Sequence, residues 1–382
     1  MKIAFTNNIL KDTLNFRGNV IKAFLNKGHK VTVICPNDKN INVKNFDERL
    51  NFIPVEVSRK GKNPFSDLIY CRKLFNVYQK EKFDLIFHYT IKPNIYGNIA
   101  SHFAKIKAIS IIPGLGHLFI KESFATKIVE ILYSISLNFA SEVWFLNEDD
   151  KKEFLKRKLV KEIKVKILPG EGINLEKFKP VKIERNDNKV IFLMIARVLW
   201  EKGFKEYVEA AEILKKKYSN LEFQLLGGID TGNPSGVPKE IVMKYHNNKT
   251  INYLGTTNDV PSVIAKCDCL VLPSYREGVP RTLMEGASMK KPLIATNVTG
   301  CREIVIDNYS GFLCEKENSK DLADKIEKFL LLSQEEKEKL GKNGRKLMKE
   351  KFEDSKVIEK YYEVIKDKGE NINEYSKKFS VS

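Results

Sequence analysis

An α/β fold of two Rossmann-like domains, each with its own parallel sheet, is the architecture this sequence predicts. Short apolar runs of strand character alternate with amphipathic, helix-length segments along nearly the whole chain. That order gives a parallel sheet covered by helices on both faces. The alternation breaks once, at PGEGINLEKFKPVKIERNDNK (169–189), where glycine, proline and charge replace the periodic pattern. The chain has 382 residues, 42% of them hydrophobic, too many for one ordinary α/β domain and comfortable for two.

Taken in order, MKIAFTN opens the chain as a strand, its apolar run far too short for a signal peptide. An amphipathic stretch from Asn19 to Lys27 leads to the strand HKVTVICP. Next come FDLIFHYT, a helix from about Asn94, KAISIIPG, a long helix near Ser123–Phe139, EVWFLN, a short helix and VKILPG. After the break the strand-like runs are VIFLMIA, LEFQLLGG, TINYLG, DCLVLP, PLIAT, EIV and GFLC, with helices between the first five. The chain from Asp321 onward is helical and highly charged, and SKVIEKYYEVIKDK carries apolar residues at helical spacing. The resulting division is a first domain over 1–168, a linker over 169–189 and a second domain over 190–352. Residues 353–382 form a helix returning to the first domain and a frayed tail. No window approaches the roughly 18 apolar residues of a membrane span.

The formal charge is +17, and residues 1–180 carry 31 Lys+Arg against 18 Asp+Glu, or +13 of it. The first half therefore faces something anionic: nucleic acid, an acidic membrane surface or a phosphorylated substrate, unless the excess is a compositional bias toward lysine. A nucleic-acid binder would interleave aromatic and basic residues, and no such motif occurs. Cys35, Cys71, Cys267, Cys269, Cys301 and Cys314 are scattered without a CxxC pair. They read as reduced, buried residues of a cytosolic protein with no metal site. Cys267 and Cys269, one residue apart in a strand-like run, should point to the same face.

Four side chains at strand ends carry the chemistry. Arg197 follows VIFLMIA, and Lys202 stands before Gly203 in the same tight turn. Arg supplies a planar fork and Lys a movable point charge, a combination that suits a diphosphate. Glu277 and Glu285 follow DCLVLP, with Gly278, Val279 and Pro280 opening a helix between them. Proline suits the first helical turn, and a helix start offers free N–H groups to an anion. Glu277, in the loop, would reach a sugar on that diphosphate, and Glu285, one turn into the helix, would accept from ribose hydroxyls. Alternatively, Glu277 caps the helix and Glu285 makes a surface ion pair. Gly227 and Gly228 end a strand and fit either close nucleotide approach or packing. His88 also ends a strand, where a lone histidine is more often structural.

These residues lie within a wider resemblance. ARVLWEKGFKEYVEAA, LLGG, YLGTTNDV, LPSYREGVPRTLMEGASMKKPLIATNVTGCREIV and GFLC are similar, in this order, to the C-terminal half of family-4 retaining glycosyltransferases of the GT-B fold. That fold pairs two Rossmann-like domains across a cleft. The resemblance implies that Arg197 and Lys202 hold the donor diphosphate, Glu277 contacts the donor sugar and Glu285 binds ribose. It further implies that the backbone around Gly255 lies near the base. Thr282 and Leu283 would offer backbone N–H groups to phosphate beside Gly278 and Val279. Where most relatives have glycine this chain has Lys290, read as a loop variation.

In the first half, MKIAFTNNILKDTLNFRGNVIKAFLNKGHKVTVICP, TIKPNIYGNIASHFAKI and IIPGLGHLFI resemble enzymes that extend undecaprenyl-diphosphate-linked sugars. These include the bacterial N-glycosylation transferases of N-acetylgalactosamine and those of O-antigen or capsule. The resemblance implies an acceptor site here, with Arg17, Lys92 and Asn94 at strand–helix junctions. Many relatives place a histidine at Pro113; in this chain His117 follows four residues later. The basic, partly apolar stretch of Phe119, Lys121, Phe124, Lys127, Ile128, Ile131 and Leu132 would rest on an anionic membrane surface, unless it is ordinary core.

Together these imply retaining transfer of an N-acetylhexosamine, best N-acetylgalactosamine, from a UDP-sugar to a polyprenyl-diphosphate-linked saccharide. No cofactor, metal or nucleic acid is called for. The enzyme would lie peripherally on the inner face of the cytoplasmic membrane. Transfer of another UDP-hexose in O-antigen or capsule assembly, or sugar-nucleotide epimerisation on the same fold, are the alternatives.

Overall fold

The computed structural model of the protein describes residues 1–57, 64–115, 124–185 and 187–366. The first half forms a seven-stranded sheet of order β3-β2-β1-β4-β5-β6-β7. Its strands are β1 (Lys2–Thr6), β2 (Lys30–Cys35), β3 (Asn51–Pro54), β4 (Leu85–Tyr89), β5 (Lys107–Ile112), β6 (Glu142–Phe145) and β7 (Val165–Ile167). All pair in parallel. Its helices are α1 (Leu10–Asn26), α2 (Pro64–Glu81), α3 (Asn98–Phe103), α4 (Phe124–Leu137) and α5 (Glu148–Lys156). Burial on both faces makes the centre of β1, Ile3 to Phe5, continuously apolar, as parallel sheets require. Ile3 and Phe5 enter one core with Ile21 and Phe24 of α1, while Ala4 enters another with Tyr70, Leu74 and Tyr78 of α2.

The second sheet has six parallel strands in the order β10-β9-β8-β11-β12-β13. They are β8 (Val190–Ile195), β9 (Leu221–Leu226), β10 (Asn252–Gly255), β11 (Cys269–Leu272), β12 (Leu293–Thr296) and β13 (Gly311–Cys314). Around them lie α6 (Phe204–Lys215), α7 (Lys239–Asn247), α8 (Val260–Lys266), α9 (Arg281–Ser288), α10 (Cys301–Ile304), α11 (Ser319–Leu330) and α12 (Gln334–Leu347). A last helix, α13 (Asp354–Lys366), follows them. Both halves are thus parallel-sheet α/β units.

Several local expectations change. EIV is not a strand: its first two residues end α10, and GFLC alone supplies β13. Three residues are too few for periodicity to separate helix from strand. β3 was not anticipated, because NFIP is short, half-exposed and ends in proline, features tolerated at a sheet edge. Cys267 and Cys269 do not share a face; they pack into different cores. Cys267 caps α8 before the strand begins, so the period of two does not reach it. Lys290, just past α9, has φ +58, the left-handed position that glycine occupies without strain at helix ends.

The chain then crosses back to the first sheet. Ile173 of the connecting segment bridges Glu353, and α13 lies on α1. Tyr361 sits among Phe87, Trp144 and Phe24, at ring separations of 5.0, 5.1 and 6.4 Å. Its hydroxyl meets that of Tyr89 at 2.7 Å. Elsewhere, His88 is enclosed between Tyr78 and Asn98, at 3.0 and 2.8 Å. Burial lowers its pKa to about 4, so it stays neutral and serves the core.

Candidate active site

The site is built where β8 and β11 end side by side. After β8 the chain turns through a short helical segment, Trp200–Lys202, and reverses at Gly203 with φ +80. A Cβ on Gly203 would overlap the Pro273 carbonyl that follows β11, so only glycine lets the two loops touch. The loops are also sewn together: Tyr275 N–H donates to the Glu201 carbonyl at 2.9 Å, and Ser274 Oγ donates to it at 3.2 Å. This contact brings residues 75 apart in sequence together: Lys202 Nζ donates to Glu277 Oε1 at 2.5 Å. The two side chains are only 19% and 13% exposed, so the pair is sheltered but not sealed from solvent.

Glu285 lies deeper, on the first turns of α9. Burial pushes its pKa up, and the guanidinium of Arg281, whose Nε donates to Oε1 at 3.1 Å, opposes that shift. Glu285 is therefore a buried partner of Arg281 and not a surface pair. Arg281 also reaches across the cleft: it donates to the Asn15 carbonyl at 2.8 Å and lies over the Phe16 ring at 5.2 Å. Arg281 is a site residue whose one signal in the sequence is its spacing of four from Glu285.

Arg197 is not joined to this pair. Its side chain is 61% exposed and lies 3.8 Å from Asp230. Leu283 is fully buried, and its N–H donates to the Pro280 carbonyl at 3.2 Å; Thr282 stands half-buried beside it. Val279 packs in the core. Gly255 ends β10 at φ +69 with open space where a side chain would stand. Gly227 has no such room, because a Cβ would strike the Ala196 carbonyl.

The first-half residues occupy different settings. Arg17 is buried, ion-paired with Glu171 and stacked 4.3 Å over Tyr89, so its charge is met inside the protein. Lys92 pairs with Asp67, which also accepts from Tyr96 at 3.1 Å. Asn94 is enclosed and donates to the Ile111 carbonyl at 2.9 Å, so it does not reach the cleft surface. His117, Phe119 and Lys121 lie outside the described residues, as does the side chain of Phe124.

Contacts between the halves form a group no sequence signal announced. Asn147 Nδ2 donates to the Gly278 carbonyl at 3.0 Å, and Arg276 pairs with Asp150. Asp149 accepts from Arg302 at 2.6 Å and from Thr299 at 3.0 Å. A Cβ on Gly278 would collide with the Pro113 carbonyl, so the halves meet backbone to backbone beside Glu277.

Two family matches span most of the chain: the Glycosyl transferases group 1 family over residues 176–347 and the Glycosyl transferase 4-like family over residues 3–147. The chain is 34% identical over 357 residues to the N,N'-diacetylbacillosaminyl-diphospho-undecaprenol alpha-1,3-N-acetylgalactosaminyltransferase of Campylobacter jejuni, covering 89% of this chain and 92% of that protein. It is 29% identical over 300 residues to the capsular polysaccharide biosynthesis glycosyltransferase CapM of Staphylococcus aureus, covering 75% and 78%. A glycosyltransferase structure from Rickettsia africae superposes with a TM-score of 0.78 at 23% identity, covering 97% and 99%. Anabaena HepE in complex with UDP-glucose gives 0.79 at 18%, covering 96% and 100%. With the relative from Campylobacter matched along nearly its whole length and two parallel-sheet halves meeting at a cleft, this chain belongs to the group 1, family-4-like glycosyltransferases and has the GT-B fold.

Proposed function

We propose that this enzyme transfers N-acetylgalactosamine, with retention, from a UDP-sugar to an undecaprenyl-diphosphate-linked saccharide. The observation that carries the reading is the Lys202–Glu277 pair at the end of the second sheet, with the start of α9 beside it. The match to the Campylobacter transferase supports the sugar and the lipid-linked acceptor. The similarity to an Escherichia coli UDP-Gal:alpha-D-GlcNAc-diphosphoundecaprenol alpha-1,3-galactosyltransferase, 28% over 258 residues, favours a UDP-hexose in the second reading.

In this reading the acceptor hydroxyl attacks the anomeric carbon from the face the diphosphate leaves. The bond from that carbon to the diphosphate oxygen breaks, and the departing oxygen takes the hydroxyl proton. Negative charge develops on the diphosphate, where the Lys202 ammonium, the Arg197 guanidinium and the N–H groups opening α9 would meet it. Fixed cations at such a point are often the largest catalytic contribution. Glu277 would orient both Lys202 and the sugar, and Glu285 would accept from ribose. Arg197 would have to swing from Asp230 onto the diphosphate, a motion its exposure permits.

A donor screen against a polyprenyl-diphosphate-linked monosaccharide, read by UDP release and product mass, tests the proposal. Transfer of N-acetylhexosamine is the expected result; interconversion of the UDP-sugar without an acceptor would overturn it. In the same assay Arg197→Ala should lower kcat/KM by about 10- to 100-fold and weaken UDP binding. An unchanged variant removes Arg197 from the diphosphate site.

The lipid acceptor also calls for a membrane surface. Ile128, Ile131 and Ile135 line one side of α4 and are 45%, 59% and 50% exposed, whereas Leu132 is half-buried against the core. No helix among the described residues is long and apolar enough to cross a membrane. A peripheral contact through this stripe and the basic first half should show as sedimentation with anionic vesicles that weakens as salt rises. No binding at low salt would refute it.

A further inference from the structure

We propose that Arg276 and the N-terminus of α5 form a clamp by which the first domain seats Glu277, making Arg276 a positioning residue for the reaction. This rests on the reading of Glu277 as the donor-sugar contact. Both neighbours of Glu277 are held by the other half of the protein. On one side, the Arg276 guanidinium donates to Asp150 Oδ1. On the other, the Gly278 carbonyl accepts from Asn147 Nδ2 at 3.0 Å. Glu277 N–H itself donates to the Thr299 carbonyl at 3.3 Å, and the Thr299 hydroxyl donates to Asp149 at 3.0 Å. With Lys202 on its carboxylate, Glu277 is fixed at its head, its backbone and both flanks.

The clamp is rigid at its source. Asn147 caps α5, and all its amide hydrogen-bonding groups are used. Oδ1 accepts from Asp150 N–H at 2.8 Å, and Nδ2 donates to Asp150 Oδ2 at 2.9 Å as well as to Gly278. The Asp150 side chain is wholly buried, while Arg276 is 30% exposed. A buried carboxylate that loses its cation is costly, so the two halves are held together at this point when the cleft is closed. Burial raises the pKa of Asp150 and Arg276 opposes it, which agrees with this arrangement. If the halves separate, the loop loses these bonds at once. Glu277 would then be placed for chemistry only when both domains close around the substrates.

The test is Arg276→Gln, measured beside Arg276→Lys and Glu277→Gln. Arg276→Gln should lower kcat by about 10- to 100-fold, the scale of a small misplacement of a reacting group, and Arg276→Lys should recover part of the loss. UDP affinity by calorimetry should stay within about twofold, because the clamp acts on the step and not on the nucleotide. Turnover within about threefold of the parent enzyme, or an equal loss of UDP affinity, overturns the clamp. If Glu277→Gln itself retains turnover, the underlying reading of Glu277 fails instead. Should Arg276→Gln not fold, Arg302→Gln tests the same clamp through Asp149, from a side chain that is 47% exposed.

Discussion

Replacing Glu277 with glutamine is expected to lower kcat by about 100- to 1000-fold while UDP affinity changes little. Glutamine keeps the shape of the side chain and removes its charge. Two consequences follow from the geometry. The Lys202 ammonium, 19% exposed and 2.5 Å from the carboxylate, loses the partner that aims it. The sugar loses an acceptor that is strongest when ionised. The nucleoside, which this reading assigns to Glu285 and the backbone around Gly255, is untouched, and the Lys202 ammonium remains present to meet the diphosphate. Steady-state kinetics paired with UDP calorimetry checks the split. A variant that keeps its kcat would remove Glu277 from the chemistry, and a variant that loses UDP binding in proportion would assign it to the nucleotide.

Tyr361→Ala is expected to cost about 4 kcal/mol, the range for truncating a large buried aromatic. Tyr361 is 2% exposed and lies inside the first sheet's core, in ring contact with Phe87, Trp144 and Phe24. The cavity it leaves has no neighbour free to fill it, because those rings are held by β4, β6 and α1. Its hydroxyl bond to Tyr89 is a smaller part of the total, so Tyr361→Phe should cost only about 1 kcal/mol. The effect should appear as a melting temperature lowered by about 10 °C for the alanine variant. A loss under about 1 kcal/mol would mean that α13 adds little to the first core.

The legible parts of the fold were those written in short windows. VIFLMIA and CLVL are uniformly apolar because β8 and β11 are buried on both faces, and each is followed by the turn residues that open a helix. The same windows carry Lys202, Glu277 and Glu285, so their candidacy was visible before any contact was. Edge features were less legible. NFIP has too little apolar area to announce β3, and EIV is equally plausible as helix or strand until its neighbours are in place. Lys290 shows the converse case, a residue whose left-handed backbone is set by the end of α9 and not by its own preference.

Taken alone, the residues determined the α/β class, the two sheets and the clustering of cations and carboxylates at strand ends. Hydrophobic periodicity, turn chemistry and helix starts are local properties, encoded within a dozen residues of where they act. Only the tertiary structure decided which charges are spent internally. Arg17 goes to Glu171, Lys92 to Asp67 and Arg276 to Asp150, whereas Lys202 is brought to Glu277 at the cleft. Each of these pairings joins residues 25 to 154 positions apart. No local pattern encodes a partner at that distance; the packing of two sheets and the path of the chain between them does.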